Sequence, residues 1–247
     1  ASQIDVLLVI DNSISMAAKQ GLLAQVVPAL VERLPATDVH VGILSSSLGA
    51  LTAQQCDNVG FGDPSTNDRG RLLSRTPTGA ADTFEGKGFL AWSPDATEAD
   101  KAAAGSTLAE MVLGVGELGC GYEMPLEAMV RFLVDPAPYE ALASSGSNLE
   151  KQGVDDVVLQ QRGDFLRPDS QVVVLLFSDE NDCSVDVSSQ GFLALEPMPF
   201  YRATAACAAD PNDTCCTSCG LPMPDGCPPD PGCNSPVYTP EEDHPNL

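Results

Sequence analysis

The first part of the chain alternates between short apolar runs and stretches with helical spacing. Ile4–Ile10 is a nearly unbroken run of mostly branched residues, which predicts a strand covered on both faces. Apolar residues then recur at helical spacing over Ser15–Leu34, where Pro28 predicts a kink or an early break. Asp38–Leu44 returns to a strand pattern, and this order of elements predicts a right-handed crossover in an α/β sheet.

The region that follows is less regular. It is rich in Gly, Asp, Asn and Thr, which predicts an edge hairpin with long loops and with short strands at Arg71–Ser74 and Gly88–Trp92. Helical spacing returns over Thr97–Leu118.

One further strong strand is predicted in the second half of the chain. A short helix is expected to begin at Pro125, which suits a first helical turn, and residues 135–170 are expected to be mostly loop. Gln171–Phe177 is again a continuous apolar run, so we expect a third strongly buried strand. These elements together predict a mostly parallel central sheet flanked by helices.

The alternation of strands and helices stops after Val187. From Ala203 to Leu247 the chain has no Lys or Arg and is rich in proline and cysteine. Such a segment cannot bury enough surface for a core of its own, so crosslinks must order it. We therefore expect an α/β domain over residues 1–187 and an irregular, acidic Cys/Pro-rich extension over 188–247, within a natural chain that continues past Leu247.

Charge narrows the class of partner. Asp and Glu number 35 against 12 Lys and Arg, which gives a formal net charge of −23. Because each phosphate contact needs a cation, this balance argues against nucleic acid and anionic membrane surfaces and favours cations. No apolar run approaches the ~20 residues that span a bilayer, so we expect no direct membrane insertion.

Nine cysteines are typical of a protein that forms disulfides outside a reducing cytosol. This predicts an extracellular or outer-surface location. Because nine is odd, one thiol is free, pairs between chains, or has its partner beyond Leu247. Cys216 and Cys219 could instead hold Zn²⁺, but disulfide bonding is the better interpretation in an exported chain.

The strongest chemical signal lies where the first strand meets the first helix. Asp11, Ser13 and Ser15 occupy alternate positions of a tight turn at the carboxyl end of that strand, where α/β sheets bind ligands. Their oxygens suit Mg²⁺ or Ca²⁺, although Ser13 or Ser15 could simply cap the helix. Asp179 follows the third strand in the same way, and a turn that contains Glu123 lies between the two.

This order of a strand-end Asp, a turn donor and a second strand-end Asp resembles von Willebrand factor A-type (VWA) domains over about Ile4–Val187. The resemblance implies a Rossmann-like fold and a metal-ion-dependent adhesion site. In that site Ser13 and Ser15 would bind the metal directly. Asp11 and Asp179 would mainly hold its coordinated waters.

The middle loop departs from the family pattern. Glu123 stands where the family usually has Thr, Tyr122 is a weaker alternative ligand, and Glu123 could instead cap the following helix. If Glu123 is a ligand, the three carboxylates of Asp11, Glu123 and Asp179 supply −3 against the +2 of the cation. The site then has a net charge of −1, which opposes the binding of a partner carboxylate. Two hypotheses follow: a structural Ca²⁺ site closed by Glu123, or a gate from which Glu123 swings away when a partner binds.

Three stretches resemble a bacterial subgroup of the family, namely Gly119–Glu123, Gly163–Asp169 and Ser178–Ser184. Its members are exported, cysteine-containing surface proteins, often lipoproteins, and include a gliding-motility adhesin. The positions of Cys120 and Cys183 beside the metal loops suggest a disulfide that would brace the site, as one of many connectivities.

The function that this resemblance implies is cell adhesion or protein binding through a divalent cation. The partner would be a protein or surface polymer, with assembly alongside other surface proteins. The alternative is a structural component of a surface assembly or filament whose Ca²⁺ site only stabilises the fold. A metal-dependent hydrolase is less favoured: His40 and His244 lie beside no candidate nucleophile and there is no Gly-x-Ser-x-Gly turn, so we expect no enzyme.

Overall fold

The structure is a computed structural model that describes residues 3–34, 38–48, 67–120, 123–145, 148–184 and 202–235. The chain divides into two compact units, Ala1–Leu195 and Glu196–Leu247. This boundary and the one expected from sequence, after residue 187, both fall in residues 185–201, outside the described ranges.

The described part of the first unit contains eight strands and four α-helices. The strands are β1 (Gln3–Ile10), β2 (Asp38–Ser45), β3 (Arg75–Thr76), β4 (Gly79–Ala80), β5 (Phe89–Trp92), β6 (Ala141–Ser145), β7 (Asn148–Gln152) and β8 (Gln171–Phe177). The helices are α1 (Ala17–Arg33), α2 (Glu98–Gly114), α3 (Pro125–Leu133) and α4 (Asp156–Phe165).

The central sheet has the order β5-β2-β1-β8. β1 pairs in parallel with β2 and β8, whereas β5 runs antiparallel to β2. The sheet is therefore mixed, with parallel core strands and helices around it, as the alternating pattern predicted. Every residue of β1 after the first is buried, because a strand lies on each side and helices cover both faces.

Alternate residues of β1 contact different helical layers. Val6 and Leu8 belong to the hydrophobic cluster that includes α1 and α2, whereas Leu7 and Val9 belong to the cluster that includes α3 and α4. α1 is continuous through Pro28, so the predicted early break is wrong. The helix continues because apolar residues before and after Pro28 pack in one cluster, and Pro28 itself lies against α2.

Two local predictions were wrong. The region 135–170, expected to be mostly loop, contains the β6–β7 hairpin and α4. α4 begins where the Asp155 carboxylate accepts a hydrogen bond from the Val158 N–H, and it buries Val158 and Phe165. Arg71–Ser74 is not a strand; the hairpin there is β3–β4, and β5 pairs with β2 instead. Residues 49–66 of the same region lie outside the described ranges.

β8 forms as predicted, but it is not strongly buried. Val172 is 44% exposed and Leu176 is 46% exposed. The reason is that β8 is the last strand of the described sheet and pairs only with β1. On its other face, Leu175 and Phe177 line an apolar groove of about 350 Å³ beside α1.

The stretch Ile14–Arg33, which includes α1, is long and apolar enough to cross a membrane by length and composition, with a mean hydropathy of 1.3. The expectation that no stretch approaches this length was therefore wrong. In the folded unit the helix packs against α2, and core helices of this kind satisfy the same criterion.

The described part of the second unit is held together by disulfides. It contains one short α-helix, α5 (Ala205–Ala209), and a 3-10 turn at Pro231–Asn234, and only Thr204 is buried among residues 202–235. The disulfides join Cys207 to Cys216, Cys215 to Cys227, and Cys219 to Cys233. The sequence-based choice of disulfides over a zinc site is confirmed for these cysteines, and so is the irregular character of the described segment.

Candidate metal-binding site

The loops that follow β1, β2 and β8 meet at the carboxyl edge of the sheet. The Asp11 N–H donates to the Phe177 carbonyl at 2.9 Å, and the Ser46 N–H donates to the Ile10 carbonyl at 3.2 Å. These bonds continue the strand pairing beyond the sheet and hold the three loops side by side. Side chains from separate parts of the sequence can therefore share one site there.

Two hydroxyls and a carboxylate cluster at this edge. The Oγ atoms of Ser13 and Ser15 lie 3.0 Å apart, and the Ser15 hydroxyl donates to Asp179 Oδ1 at 3.0 Å. The structure thus brings together three of the residues that the sequence selected, although 164 positions separate Ser15 from Asp179.

The serine side chains do not cap a helix. Ser13 precedes a 3-10 turn, Ile14–Met16, that leads into α1, but its side chain makes no capping hydrogen bond. Instead the Ser13 carbonyl accepts the Met16 N–H at 3.1 Å. Both hydroxyls are therefore available at the edge of the sheet.

Asp11 is fully buried and orients two of the loops. Its Oδ1 accepts the Ser13 N–H at 2.8 Å, and its Oδ2 accepts the Ser178 hydroxyl at 2.7 Å. Asp11 thus links its own loop to the loop after β8. The two hydrogen bonds hold both loops in place. Burial raises the pKa values of Glu123 and Glu180, and the negative charge of Asp11 raises them further.

Asp179 pairs with a cation from α1. The Lys19 ammonium lies 2.5 Å from Asp179 Oδ2 and also donates to the Ser15 carbonyl at 3.1 Å. The hydrogen bond from Lys19 holds the pKa of Asp179 below its usual range, and the Ser15 hydroxyl acts in the same direction. Asp179 is therefore ionised at neutral pH.

Glu123 is only 4% exposed and lies beside the same loops. Burial raises its pKa to about 8; the hydrogen bond from Ser46 opposes this, while the charges of Asp11, Glu180 and Asp179 add to it. Without a metal, Glu123 is therefore mostly protonated at neutral pH.

The Ser46 hydroxyl links Glu123 to Asn12. The Ser46 Oγ bonds to Glu123 Oε2 and to Asn12 Oδ1, but its one hydrogen can serve only one acceptor. Two arrangements satisfy Ser46. In one, a protonated Glu123 donates to Ser46 and Ser46 donates to Asn12; in the other, a half-turn of the Asn12 amide lets its Nδ2, which is buried without a partner among the described residues, donate to Ser46, while Ser46 donates to ionised Glu123.

Glu123 does not cap α3, so that alternative is wrong. The first turn of α3 is capped from the loop after β8: the Leu126 N–H donates to the Asp182 carboxylate at 2.9 Å, and the Glu127 N–H donates to the Ser184 hydroxyl at 3.1 Å. Tyr122, the weaker ligand candidate, lies outside the described residues.

The clustered oxygens fit a hard dication. Carboxylate and hydroxyl oxygens are the donors that Mg²⁺ and Ca²⁺ prefer, and adjacent ligands of an octahedral Mg²⁺ with bonds of ~2.1 Å lie ~3.0 Å apart. The two contacts of Ser15 have this spacing. Among the described residues no cluster of three His, Cys, Asp or Glu side chains is suited to a metal, so hydroxyls would complete this donor set.

The Cys120–Cys183 disulfide suggested from sequence is wrong. Cys183 carries a free thiol, and Cys120 is disulfide-bonded. The loops are joined by the main chain instead, because the Cys183 N–H donates to the Glu123 carbonyl at 2.8 Å. Cys183 is thus the cysteine without a disulfide partner among the described residues.

Sequence reasoning missed several residues of this region. Ser46 and Ser47 follow the buried strand β2 just as Asp11 follows β1, and that position was a usable signal. Ser47 donates to Asn12 Oδ1 at 2.9 Å and accepts the Cys120 N–H at 2.8 Å. The role of Lys19 had no comparable signal, since it depends on contact with a residue 160 positions away.

His40 lies away from this edge and is packed among aromatic rings. Its ring centroid is 4.5 Å from that of Phe89, and its Nδ1 lies 2.8 Å from the Phe165 carbonyl oxygen. Burial lowers the pKa of His40, so the imidazole is neutral at physiological pH. His244 lies outside the described residues.

Comparison with known proteins gives no further identification. No family model, curated protein or solved structure matches this chain.

Proposed function

We propose that the first unit is a VWA-type, Rossmann-like domain that binds a protein or surface polymer through a divalent cation. The observation that carries this proposal is the clustering of Ser13, Ser15 and Asp179 oxygens, at 3.0 Å for each contact of Ser15, in the segments that follow two adjacent parallel strands. Exposed hydroxyls beside an ionised carboxylate leave coordination positions that a partner's oxygen can take.

The charge of the site supports cation binding. In the metal-free protein Glu123 holds a proton, and Asp11 and Asp179 supply −2 against the +2 of the cation. A bound cation favours the ionised form of Glu123, so a partner carboxylate is accommodated when Glu123 moves away from the cation, as in the gate hypothesis.

The location proposed is the cell surface or the extracellular space. Three disulfides support an oxidising compartment, since such bonds are rare in a reducing cytosol. A surface location suits an adhesive role with no catalytic step.

The test uses the whole chain, Ca²⁺ or Mg²⁺, and a surface coated with an acidic peptide as the probe. Calorimetry measures cation binding, and retention on the surface is compared with cation and with chelator. We expect cation-dependent retention that Ser13→Ala abolishes and that Ser106→Ala, an exposed serine in α2, preserves. Cation binding without any retention would contradict the adhesive role, and no cation binding would contradict the site.

A second candidate function is a structural Ca²⁺ site closed by Glu123. It is favoured by the near-complete burial of Glu123 and by the main-chain bond that ties its carbonyl to Cys183. In that case chelation lowers the melting temperature, while binding to the partner persists. A Glu123→Thr variant that gains no Mg²⁺-dependent binding of the acidic peptide would also favour this candidate over the gate.

A further inference from the structure

Lys19 occupies an unusual position in the candidate site. It lies four residues after Ser15, in the first turns of α1, and its side chain is half exposed. Its ammonium contacts both the Ser15 carbonyl, at 3.1 Å, and Asp179 Oδ2, at 2.5 Å. A lysine thus reaches back over the loop that supplies the two candidate hydroxyl ligands.

Lys19 and the candidate metal ligand Ser15 both bond to the carboxylate of Asp179. Ser15 donates to Asp179 Oδ1, while Lys19 donates to Oδ2 of the same group. A dication held by the Ser13 and Ser15 hydroxyls would lie next to this carboxylate and would repel the ammonium from it. The two positive groups therefore compete for Asp179.

Lys19 lies at an edge rich in carboxyl groups. Among ion pairs between described residues, it provides the cation that pairs with the acidic group formed by Asp11, Glu123, Asp179 and Glu180. Its half-exposed stem can swing into solvent without opening the core.

We infer that Lys19 is an internal counterion that occupies Asp179 in the metal-free protein and is displaced when a divalent cation binds. This inference rests on the proposed metal site and adds the residue that sets its affinity. The exchange prevents Asp179 from being left unpaired when the cation leaves. It also means that binding includes the cost of breaking the Lys19–Asp179 pair.

The first experiment is a calorimetric Ca²⁺ titration of the full chain and two variants. Lys19→Met removes the charge and retains a long side chain, so Ca²⁺ affinity should rise by about tenfold or more. Lys87→Met is the matched control, because Lys87 pairs with Glu85 and Asp164 and takes no part in the candidate site. Its Ca²⁺ affinity should remain within about twofold of the unaltered chain.

A second readout separates displacement from simple repulsion. The acylation rate of the Lys19 amine, followed by peptide mass spectrometry, should be low in chelator. Ca²⁺ should raise it to the rate found in Asp179→Asn, where the pair is absent. Tighter binding in Lys19→Met without a change in acylation would mean that the ammonium stays in place, and this would overturn the exchange.

The remaining outcomes distinguish the inference from the function on which it rests. Unchanged or weaker Ca²⁺ binding in Lys19→Met would overturn the inference but leave the metal site intact. Failure of the unaltered chain and of Lys19→Met to bind either Ca²⁺ or Mg²⁺ would overturn both.

Discussion

Asp11 and Ser13 lie in one loop but differ in what their side chains support. Asp11 is fully buried and accepts hydrogen bonds from two loops, whereas the Ser13 hydroxyl bonds to Ser15 alone among the described residues. In chelator, Asp11→Asn should therefore lower the free energy of unfolding by about 1–3 kcal/mol, because one donor loses its acceptor. Ser13→Ala should change it by less than about 0.5 kcal/mol. Urea denaturation of both variants checks this, and equal losses would contradict it.

Glu123 gives the metal-free protein a defined pH dependence. Its pKa of about 8 lies above the ordinary carboxyl value of 4.5, so the folded state holds a proton that the unfolded state releases. The stabilisation is complete below about pH 4.5 and is lost as pH rises through 8. Between pH 4.5 and pH 8, the unfolding free energy measured in chelator should fall as pH rises, and Glu123→Gln should make this fall less steep. A variant with the same slope as the unaltered chain would show that another group titrates.

Cation binding should also depend on pH through Glu123, but in the opposite direction: stability falls as pH rises, whereas cation affinity should rise. A cation near Glu123 favours its ionised form, so binding below pH 8 releases a proton and weakens as pH falls. We expect Ca²⁺ affinity to rise between pH 6 and pH 8 and then to level off, as measured by calorimetry in chelator-free buffers. Glu123→Gln should remove most of this rise. Affinity independent of pH in the unaltered chain would show that the cation lies too far from Glu123 to affect it.

The candidate site was predictable to the extent that it follows strand ends. Asp11 and Asp179 each come directly after an apolar run, so their convergence follows from a parallel sheet. Lys19 contributes through a contact across 160 positions, which no local pattern encodes, whereas Ser46 follows the buried strand β2 and its position was a usable signal. The raised pKa of Glu123 likewise depends on tertiary burial, so the sequence could supply its charge but not its protonation state.

At the scale of elements, β1 and β8 show where apolar pattern and burial separate. Both are nearly continuous apolar runs, yet only β1 has a strand on each side in the described sheet. The apolar pattern correctly predicted that both segments are strands. It could not predict their burial, which depends on which strand lies at the edge of the sheet. The same limit explains α4, because this short helix gains stability from packing Val158 and Phe165 into the core, which no local pattern indicates.

The difference between these strands is measurable. Val6 of β1 is 2% exposed and Val172 of β8 is 44% exposed. Val6→Ala should lower the unfolding free energy by about 2 kcal/mol through lost burial and a residual cavity, whereas Val172→Ala should cost about 0.5 kcal/mol or less. Chemical denaturation gives both values. A large loss in Val172→Ala would mean that β8 is covered in solution.

At the scale of the whole molecule, the two units are stabilised by different means. In the described ranges, the two largest hydrophobic clusters of the first unit lie on opposite faces of a sheet, and residues 202–235 of the second contain three disulfides and one buried residue. The loss of periodic pattern after Val187 predicted this contrast. The pairing of the cysteines was not predictable, since many connectivities satisfy the same spacing.

Removing one crosslink should therefore affect the second unit far more than the first. The Cys219–Cys233 bond closes a loop of 14 residues, worth about 3 kcal/mol on a chain-entropy model. No apolar cluster is present within residues 202–235 to replace it, so a Cys219→Ser/Cys233→Ser variant should lose hydrogen-exchange protection there. β1 serves as the internal control and should keep its protection, because its hydrogen bonds lie within the sheet of the first unit. Retained protection over 202–235 would show that the remaining disulfides alone order this segment.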